Sequence, residues 1–142
     1  MLFHVRTSGE GTPILFLHGF LGSHEDFLPI MESLPNPCIA PDLFGHGQSP
    51  SPKEIDFPTI AEAIAKLLDE PIHIVGYSMG GRIALALKDN FPHLVKHCFL
   101  IGAHPGPAPA GRREIHAEWG EKLQSLPMDD FIEAWYEQPL FA

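Results

Sequence analysis

The sequence has few cysteines, few basic residues and no long apolar segment. Its 142 residues contain only two cysteines, Cys38 and Cys98, and no Cys-x-x-Cys pair, which argues against metal or redox use of the thiols. Both lie in apolar segments, so we expect two buried thiols. Lys and Arg number 9 against 18 Asp and Glu, and the net charge of -9 argues against a nucleic-acid or anionic-membrane surface.

No apolar run approaches the ~18 residues that a membrane span needs, and the N-terminus has no basic region followed by a long apolar run. A cytoplasmic protein is therefore expected. Hydrophobic residues make up 44% and charged residues 19% of the chain, a globular composition sufficient for one domain with a core.

Short apolar runs alternate with segments of helical periodicity, which predicts βαβ units and a mostly parallel sheet. The predicted strands cover 2–7, 13–17, 38–43, 71–76 and 95–101. The predicted helices cover 24–34, 57–68 and 79–90, and two more follow a proline-rich loop, at 112–125 and 128–137.

The five residues GYSMG at 76–80 match the pattern G-x-S-x-G, directly after a predicted strand and directly before a predicted helix. In that context the serine lies on a tight, strained turn, and small flanking residues let strand and helix approach each other. The hydroxyl of Ser78 would project above the sheet. Ser78 is therefore the predicted reactive residue.

A second loop, HGF at 18–20, follows the first continuous apolar strand. Folds with such a serine turn place their other oxyanion donor at this position. We predict that the backbone N–H groups of Phe20 and Met79 form an oxyanion hole, which would stabilise negative charge developing on a carbonyl oxygen.

A third polar segment, DLFGHGQS at 42–49, follows another predicted strand. Asp42 and His46 are a carboxylate and an imidazole close together in the chain. We interpret the segment as a loop that shapes the backbone after the strand rather than as a catalytic pair.

Three motifs, PILFLHGF at 13–20, APDLFGHGQS at 40–49 and IVGYSMGG at 74–81, stand in the order and spacing of the α/β-hydrolase superfamily, which the whole chain resembles. A narrower resemblance rests on GYSMGGR at 76–82, IGAHPG at 101–106 and EAWYEQPLFA at 133–142. These segments are similar to 2-succinyl-6-hydroxy-2,4-cyclohexadiene-1-carboxylate synthases of menaquinone biosynthesis.

The resemblance implies an α/β-hydrolase fold, with the N-terminal part of the core over 1–103 and the start of a helical lid over 104–142. The C-terminal part of the fold would be missing. The family is a carbon–oxygen lyase that eliminates pyruvate from 2-succinyl-5-enolpyruvyl-6-hydroxy-3-cyclohexene-1-carboxylate, a small anionic substrate. It uses neither a metal nor an organic cofactor.

A substrate with several carboxylates implies arginines in the pocket. Arg82 lies one helical turn after Ser78 on an otherwise apolar helix, so we interpret it as a substrate ligand rather than a surface arginine. Arg112 is preferred over Arg113 as the second substrate-binding arginine, because of its spacing to Trp119.

Three aromatic residues are further candidates for the substrate pocket: Tyr77, Trp135 and Tyr136. For the two in the lid, packing among lid residues alone is the alternative.

The resemblance also implies a mechanism in which the serine is not acylated. Activated by a histidine, the serine removes a proton next to a carbonyl, charge moves to the oxygen in the oxyanion hole, and pyruvate leaves. That histidine and its acidic partner are expected beyond residue 142, after the lid. The four histidines that follow Ser78 lack a suitably placed Asp at a strand end: His93, His97, His104 and His116.

Without its histidine and the strands that should follow 95–101, the chain by itself is expected to be inactive and poorly stable. Two alternatives remain open. The first is a serine esterase or other hydrolase of the same fold, with Ser78 as a covalent nucleophile. The second is a truncated, non-catalytic module. The sequence does not determine the oligomeric state.

Overall fold

The computed structural model describes residues 1–104, 106 and 111–141, apart from the side chains of Arg112 and Arg113. The chain divides into two compact units, Met1–Pro105 and Gly106–Ala142. The strands, all in the first unit, are β1 (His4–Thr7), β2 (Ile14–Leu17), β3 (Cys38–Pro41), β4 (Ile72–Tyr77) and β5 (Val95–Ile101). Its helices are α1 (Leu28–Ser33), α2 (Phe57–Ala65) and α3 (Met79–Asn90), and the second unit contains α4 (Arg112–Ser125) and α5 (Met128–Tyr136).

The five strands form one sheet in the order β1-β3-β2-β4-β5. Only β1 runs antiparallel to its neighbour, so the predicted mostly parallel sheet is confirmed. Leu15 in β2 lies opposite Ile39 on one side and Ile74 on the other. The C-terminal ends of β2, β3 and β4 therefore lie side by side at one end of the sheet, and the three motifs lie there.

Successive side chains of β2 enter different cores, because side chains alternate between the two faces of a sheet. Leu15 and Leu17 pack in the larger core with residues of α2 and α3. Phe16 packs on the other face, where the buried cluster also contains Phe27 and Met31.

The segment predicted as one helix over 24–34 is divided. A 3₁₀ helix covers His24–Phe27, and α1 begins only at Leu28. Pro29 lies in the first turn of α1, where its missing N–H costs nothing, whereas it would disrupt the interior of a longer helix. The bounds of α3 and β5 are those predicted.

The edge strand β5 pairs with β4 alone in the described sheet. Phe99 and Ile101 are accordingly 58% and 52% exposed. Cys38 is buried as expected, but Cys98 in β5 is only half-buried, which corrects the prediction of two buried thiols. An apolar run predicts a buried strand only where neighbours cover it.

In the second unit, α4 and α5 are joined by an aromatic cluster. The Trp119 ring lies 5.0 Å from Trp135 and 5.7 Å from Phe131, both edge to face, a favourable arrangement for aromatic pairs. Across the described residues no helix combines the length and apolar character needed to cross a bilayer.

Candidate active site

Ser78 occupies the turn that joins β4 to α3, with φ 51° and ψ -111°. Its N–H donates to the carbonyl of Ile101 at 2.8 Å, and its own carbonyl accepts from the N–H of Gly81 at 3.1 Å. Backbone bonds therefore hold a conformation that a residue with a side chain rarely adopts. The hydroxyl makes no hydrogen bond within the described part of the chain.

The glycines of the motif are required by close approach of the backbone. A Cβ on Gly76 would lie 2.6 Å from the Cα of Gly81, and one on Gly80 would lie 2.1 Å from the carbonyl oxygen of Leu17. Since neither position leaves room for a side chain, α3 packs directly on β4 and β2. The physical reason predicted for this motif is confirmed.

The HGF loop lies beside the serine turn. A Cβ on Gly19 would come within 2.9 Å of Tyr77 Cδ1 and 3.5 Å of Ser78 Cβ. The carbonyl of Gly19 accepts from the N–H of Gly22 at 3.2 Å, and Leu21 within this turn has φ 64°. Leu21 and Ser78 are the non-glycine residues with positive φ in the described ranges, so local strain is concentrated in these two adjacent loops.

His18 fixes the start of this loop in one tautomer. Its Nε2 accepts from the N–H of Leu43 at 2.9 Å, so Nδ1 carries the proton and donates to the carbonyl of Gly19 at 2.7 Å. Burial lowers the pKa of His18 below its ordinary value of 6.5, which favours the neutral ring that these bonds require. His18 thus has a structural role beside the predicted oxyanion donor.

The two predicted oxyanion donors belong to these two adjacent loops. Met79 is the first residue of α3, so its N–H has no acceptor within the helix. Phe20 follows Gly19, the residue that approaches Ser78. Their joint action on one oxygen stays a prediction.

Asp42 pairs with His24, which the sequence interpretation missed. The carboxylate is fully buried, and its Oδ1 accepts from both the N–H and the Nδ1 of His24 at 2.8 Å. Its Oδ2 accepts from the N–H of Gln48 at 2.8 Å. Burial raises the pKa of Asp42, but these hydrogen bonds outweigh it and hold the pKa below 3.8.

The interpretation of DLFGHGQS as a structural loop agrees with these contacts. His46 does not bind Asp42. His24 precedes the carboxylate by 18 residues, and no local motif announces the pair. Close packing accompanies these contacts, since a Cβ on Gly47 would lie 2.1 Å from Asp42 Oδ2.

Arg82 is half-buried on α3, and its guanidinium carbon lies 4.8 Å from the centre of the Phe57 ring. This cation–π contact packs the arginine against the start of α2. The charge makes no ion pair with a described carboxylate. The guanidinium donors therefore remain available for an anion.

The other predicted substrate residues are distributed over both units. Tyr77 is 46% exposed beside Ser78, and Tyr136 is 53% exposed on α5. Trp135 packs with Trp119 in the second unit, and its contact with a substrate stays a prediction. The side chains of Arg112 and Arg113 lie outside the described residues.

The family model for the alpha/beta hydrolase fold matches residues 12–130 of the chain. The chain belongs to the α/β-hydrolase family. A 2-succinyl-6-hydroxy-2,4-cyclohexadiene-1-carboxylate synthase from Enterobacter sp. (strain 638) is 33% identical over 147 residues, covering 96% of this chain. The chain spans 57% of that relative's length.

Among solved structures, MenH from S. aureus superposes with a TM-score of 0.87 at 26% identity, covering 97% of this chain and 57% of its own. A thermophilic esterase from Thermogutta terrifontis superposes with a TM-score of 0.81 at 25% identity, covering 87% and 48%. This α/β-hydrolase chain is thus similar to both a synthase and an esterase.

No histidine among the described residues hydrogen-bonds to Ser78. The position of the activating histidine stays a prediction. In the ranges that the structure describes, no three His, Cys, Asp or Glu side chains are grouped so as to hold a metal ion.

Proposed function

We propose that the protein is the serine-containing part of a carbon–oxygen lyase of menaquinone biosynthesis, which forms 2-succinyl-6-hydroxy-2,4-cyclohexadiene-1-carboxylate by eliminating pyruvate. The observation that carries the proposal is the strained Ser78 turn beside the HGF loop. One helical turn away lies the guanidinium of Arg82, which makes no ion pair with a described carboxylate. The name of the Enterobacter relative supports this choice of reaction.

In the proposed reaction the Ser78 oxygen removes a proton next to a carbonyl of the substrate. The electron pair of that C–H bond moves into the substrate, and negative charge collects on the carbonyl oxygen. The N–H groups of Phe20 and Met79 stabilise this charge. The new double bond forms as the carbon–oxygen bond to the enolpyruvyl group breaks. The enolpyruvyl group leaves as the enolate of pyruvate and takes up a proton on its methylene carbon to give pyruvate, which balances the proton that Ser78 removed.

A serine hydroxyl is a weak base at its own pKa, so Ser78 needs an imidazole oriented by a carboxylate. We propose that residues other than the described ones supply this pair, since Asp42 is already used by His24. Residues 1–142 alone are then expected to be inactive.

Arg82 is proposed to bind a carboxylate of the substrate. Breaking its contact with Phe57 would cost little, because one cation–π contact contributes roughly 0.5–1 kcal/mol at an exposed site. Arg112, Tyr77, Trp135 and Tyr136 are further proposed substrate contacts, on the family resemblance.

The test of the reaction is release of pyruvate from the enolpyruvyl substrate by the full-length gene product, measured with a coupled lactate dehydrogenase assay. Rapid release, parallel to the ultraviolet absorbance of the conjugated product, is expected. Residues 1–142 serve as the comparison and should be silent. Failure of the full-length protein to release pyruvate would reject the lyase proposal.

Arg82→Ala should lower kcat/KM for the carboxylate-bearing substrate. The loss should correspond to roughly 2–4 kcal/mol of binding free energy, because a charge-assisted pair is lost. Arg82→Lys should recover part of that loss, since Lys keeps the charge without the planar fork. Lys88→Ala, an exposed change on the same helix, is the control. Equal kinetics for Arg82→Ala and the control would remove Arg82 from the site.

An esterase is the second candidate, favoured by the superposition on the Thermogutta terrifontis enzyme. It would use Ser78 as a covalent nucleophile. Rapid quenching during turnover of an activated ester, followed by mass spectrometry, should then find an acyl group on Ser78. An acylated serine together with absent pyruvate release would select the esterase, and absence of both reactions would favour a non-catalytic module.

A further inference from the structure

We propose that the imidazole ring of His46 is a positioning residue that holds the Phe20 segment of the predicted oxyanion hole. The inference rests on the proposed role of Phe20 and deepens it. His46 belongs to the DLFGHGQS loop after β3, and the reaction outlined above does not use it.

The ring of His46 contacts the HGF loop at two points. It lies 5.8 Å from the Phe20 ring at an interplanar angle of 83°, and 5.1 Å from the His18 ring at 59°. Edge-to-face and tilted arrangements of this kind are favourable for aromatic rings. The half-buried imidazole thus packs against the residues on both sides of Gly19.

The His46 ring is itself held in place. Its Nδ1 lies 3.1 Å from the carbonyl oxygen of Phe44, and since a carbonyl can only accept, this nitrogen carries the proton. The backbone N–H of His46 donates to the carbonyl of Leu43 at 3.0 Å. Leu43 in turn donates its N–H to His18. The loop after β3 therefore supports the loop after β2 through one hydrogen bond and two ring contacts.

Positioning is needed here because the loop contains Leu21 in a strained conformation, with φ 64°. Strained residues persist only where their surroundings hold them. An oxyanion donor must also be placed accurately, since a misplacement of about 1 Å can cost about a hundredfold in rate. Without the His46 ring, the N–H of Phe20 would lose part of its orientation.

Two conservative variants in the full-length protein separate the ring from its hydrogen bond. His46→Phe keeps a flat ring beside Phe20 but loses the bond to the carbonyl of Phe44. His46→Gln keeps an N–H donor but loses the ring. If the ring positions the loop, His46→Gln should lower kcat about tenfold with KM nearly unchanged, and His46→Phe should stay within about threefold of the parent. His93→Ala, at an exposed position, is the control.

The kinetics are measured for pyruvate release and for hydrolysis of an activated ester, because an oxyanion hole serves both reactions. The ¹H–¹⁵N resonances of Gly19, Phe20 and Leu21 are recorded in the same proteins, and they should change in His46→Gln and stay close to the parent in His46→Phe. Absence of pyruvate release by the parent would reject the lyase proposal, while the ester kinetics and the resonances would still test His46.

The reverse order of the two variants would overturn the inference, since the hydrogen bond to Phe44 would then be the important contact. Parent-like kinetics and resonances in both variants would overturn it as well. So would altered resonances in His46→Gln with parent-like kcat for both reactions.

Discussion

The loop after β3 and the turn after β4 both carry residues that could do chemistry, but their polar groups are in opposite states. In the first, both oxygens of Asp42 accept hydrogen bonds, and Ser49 donates from its hydroxyl to the Asp42 carbonyl at 2.6 Å. In the second, Ser78 has a strained backbone, and its hydroxyl has no partner among the described residues.

The difference separates a structural polar cluster from a candidate reactive one. Buried polar groups that are fully hydrogen-bonded stabilise one conformation, and their chemistry is already used. A strained residue with an unused hydroxyl contributes nothing comparable to folding, which is the state expected of a functional position. Satisfied hydrogen bonds distinguish the two regions better than residue type does.

The largest expected effect is that of Ser78→Ala. Activity of the full-length protein should fall by about 10³-fold or more, because the oxygen that we propose to react is removed. The free energy of unfolding should change by less than about 0.5 kcal/mol, since no hydrogen bond of the hydroxyl is lost. Turnover assays and urea unfolding measure the two quantities.

The matched control for Ser78→Ala is Ser49→Ala in the other loop. Ser49 Oγ accepts from the N–H of Phe3 at 2.9 Å as well as donating to Asp42. We expect the Ser49→Ala protein to lose about 1–2 kcal/mol of its free energy of unfolding and to keep most of its activity. If the two serine variants behaved alike, the contrast between the regions would fail.

Gly80→Ala should be strongly destabilising, by about 3 kcal/mol or more, because its Cβ would lie 2.1 Å from the carbonyl oxygen of Leu17. Gly120→Ala is the control, since nothing lies within 4 Å of its Cβ and alanine favours a helix by about 1 kcal/mol. Thermal unfolding of both variants measures the difference. A Gly80→Ala protein as stable as the parent would contradict the close approach of α3 and β2.

Asp42→Asn should cost roughly 2–3 kcal/mol, because a buried carboxylate–imidazole pair is replaced by a weaker neutral contact. Asp69→Asn, at an exposed position, should stay within about 0.5 kcal/mol of the parent. The free energies come from urea unfolding at neutral pH. Equal stability of the two variants would show that the Asp42 network does not stabilise the fold.

The smallest effect is the pH dependence of the same network. Because the folded pKa of Asp42 lies below 3.8, its contribution is complete above that pH and is lost as the pH falls through the folded value. The stability difference between the parent and Asp42→Asn should therefore narrow below about pH 4. If the stability difference between the two proteins stayed constant until they unfolded in acid, the lowered pKa of Asp42 would be contradicted.

Local rules made several features predictable. The bounds of α3 and β5 follow from helical periodicity and a continuous apolar run. The strained turn at Ser78 follows from the spacing of its glycines. The 3₁₀ helix at His24–Phe27 was not predicted, because the prediction followed the helical spacing of the apolar residues and gave no weight to Pro29, which disfavours one continuous helix over 24–34.

The sequence by itself determined the mostly parallel sheet and the turn that holds Ser78, because alternation, apolar runs and glycine spacing act within a few residues. Only the tertiary structure decided that His24 binds Asp42 and that the His46 ring packs against Phe20. These features depend on which strands become neighbours. Strand order is set by long-range packing that no local pattern encodes.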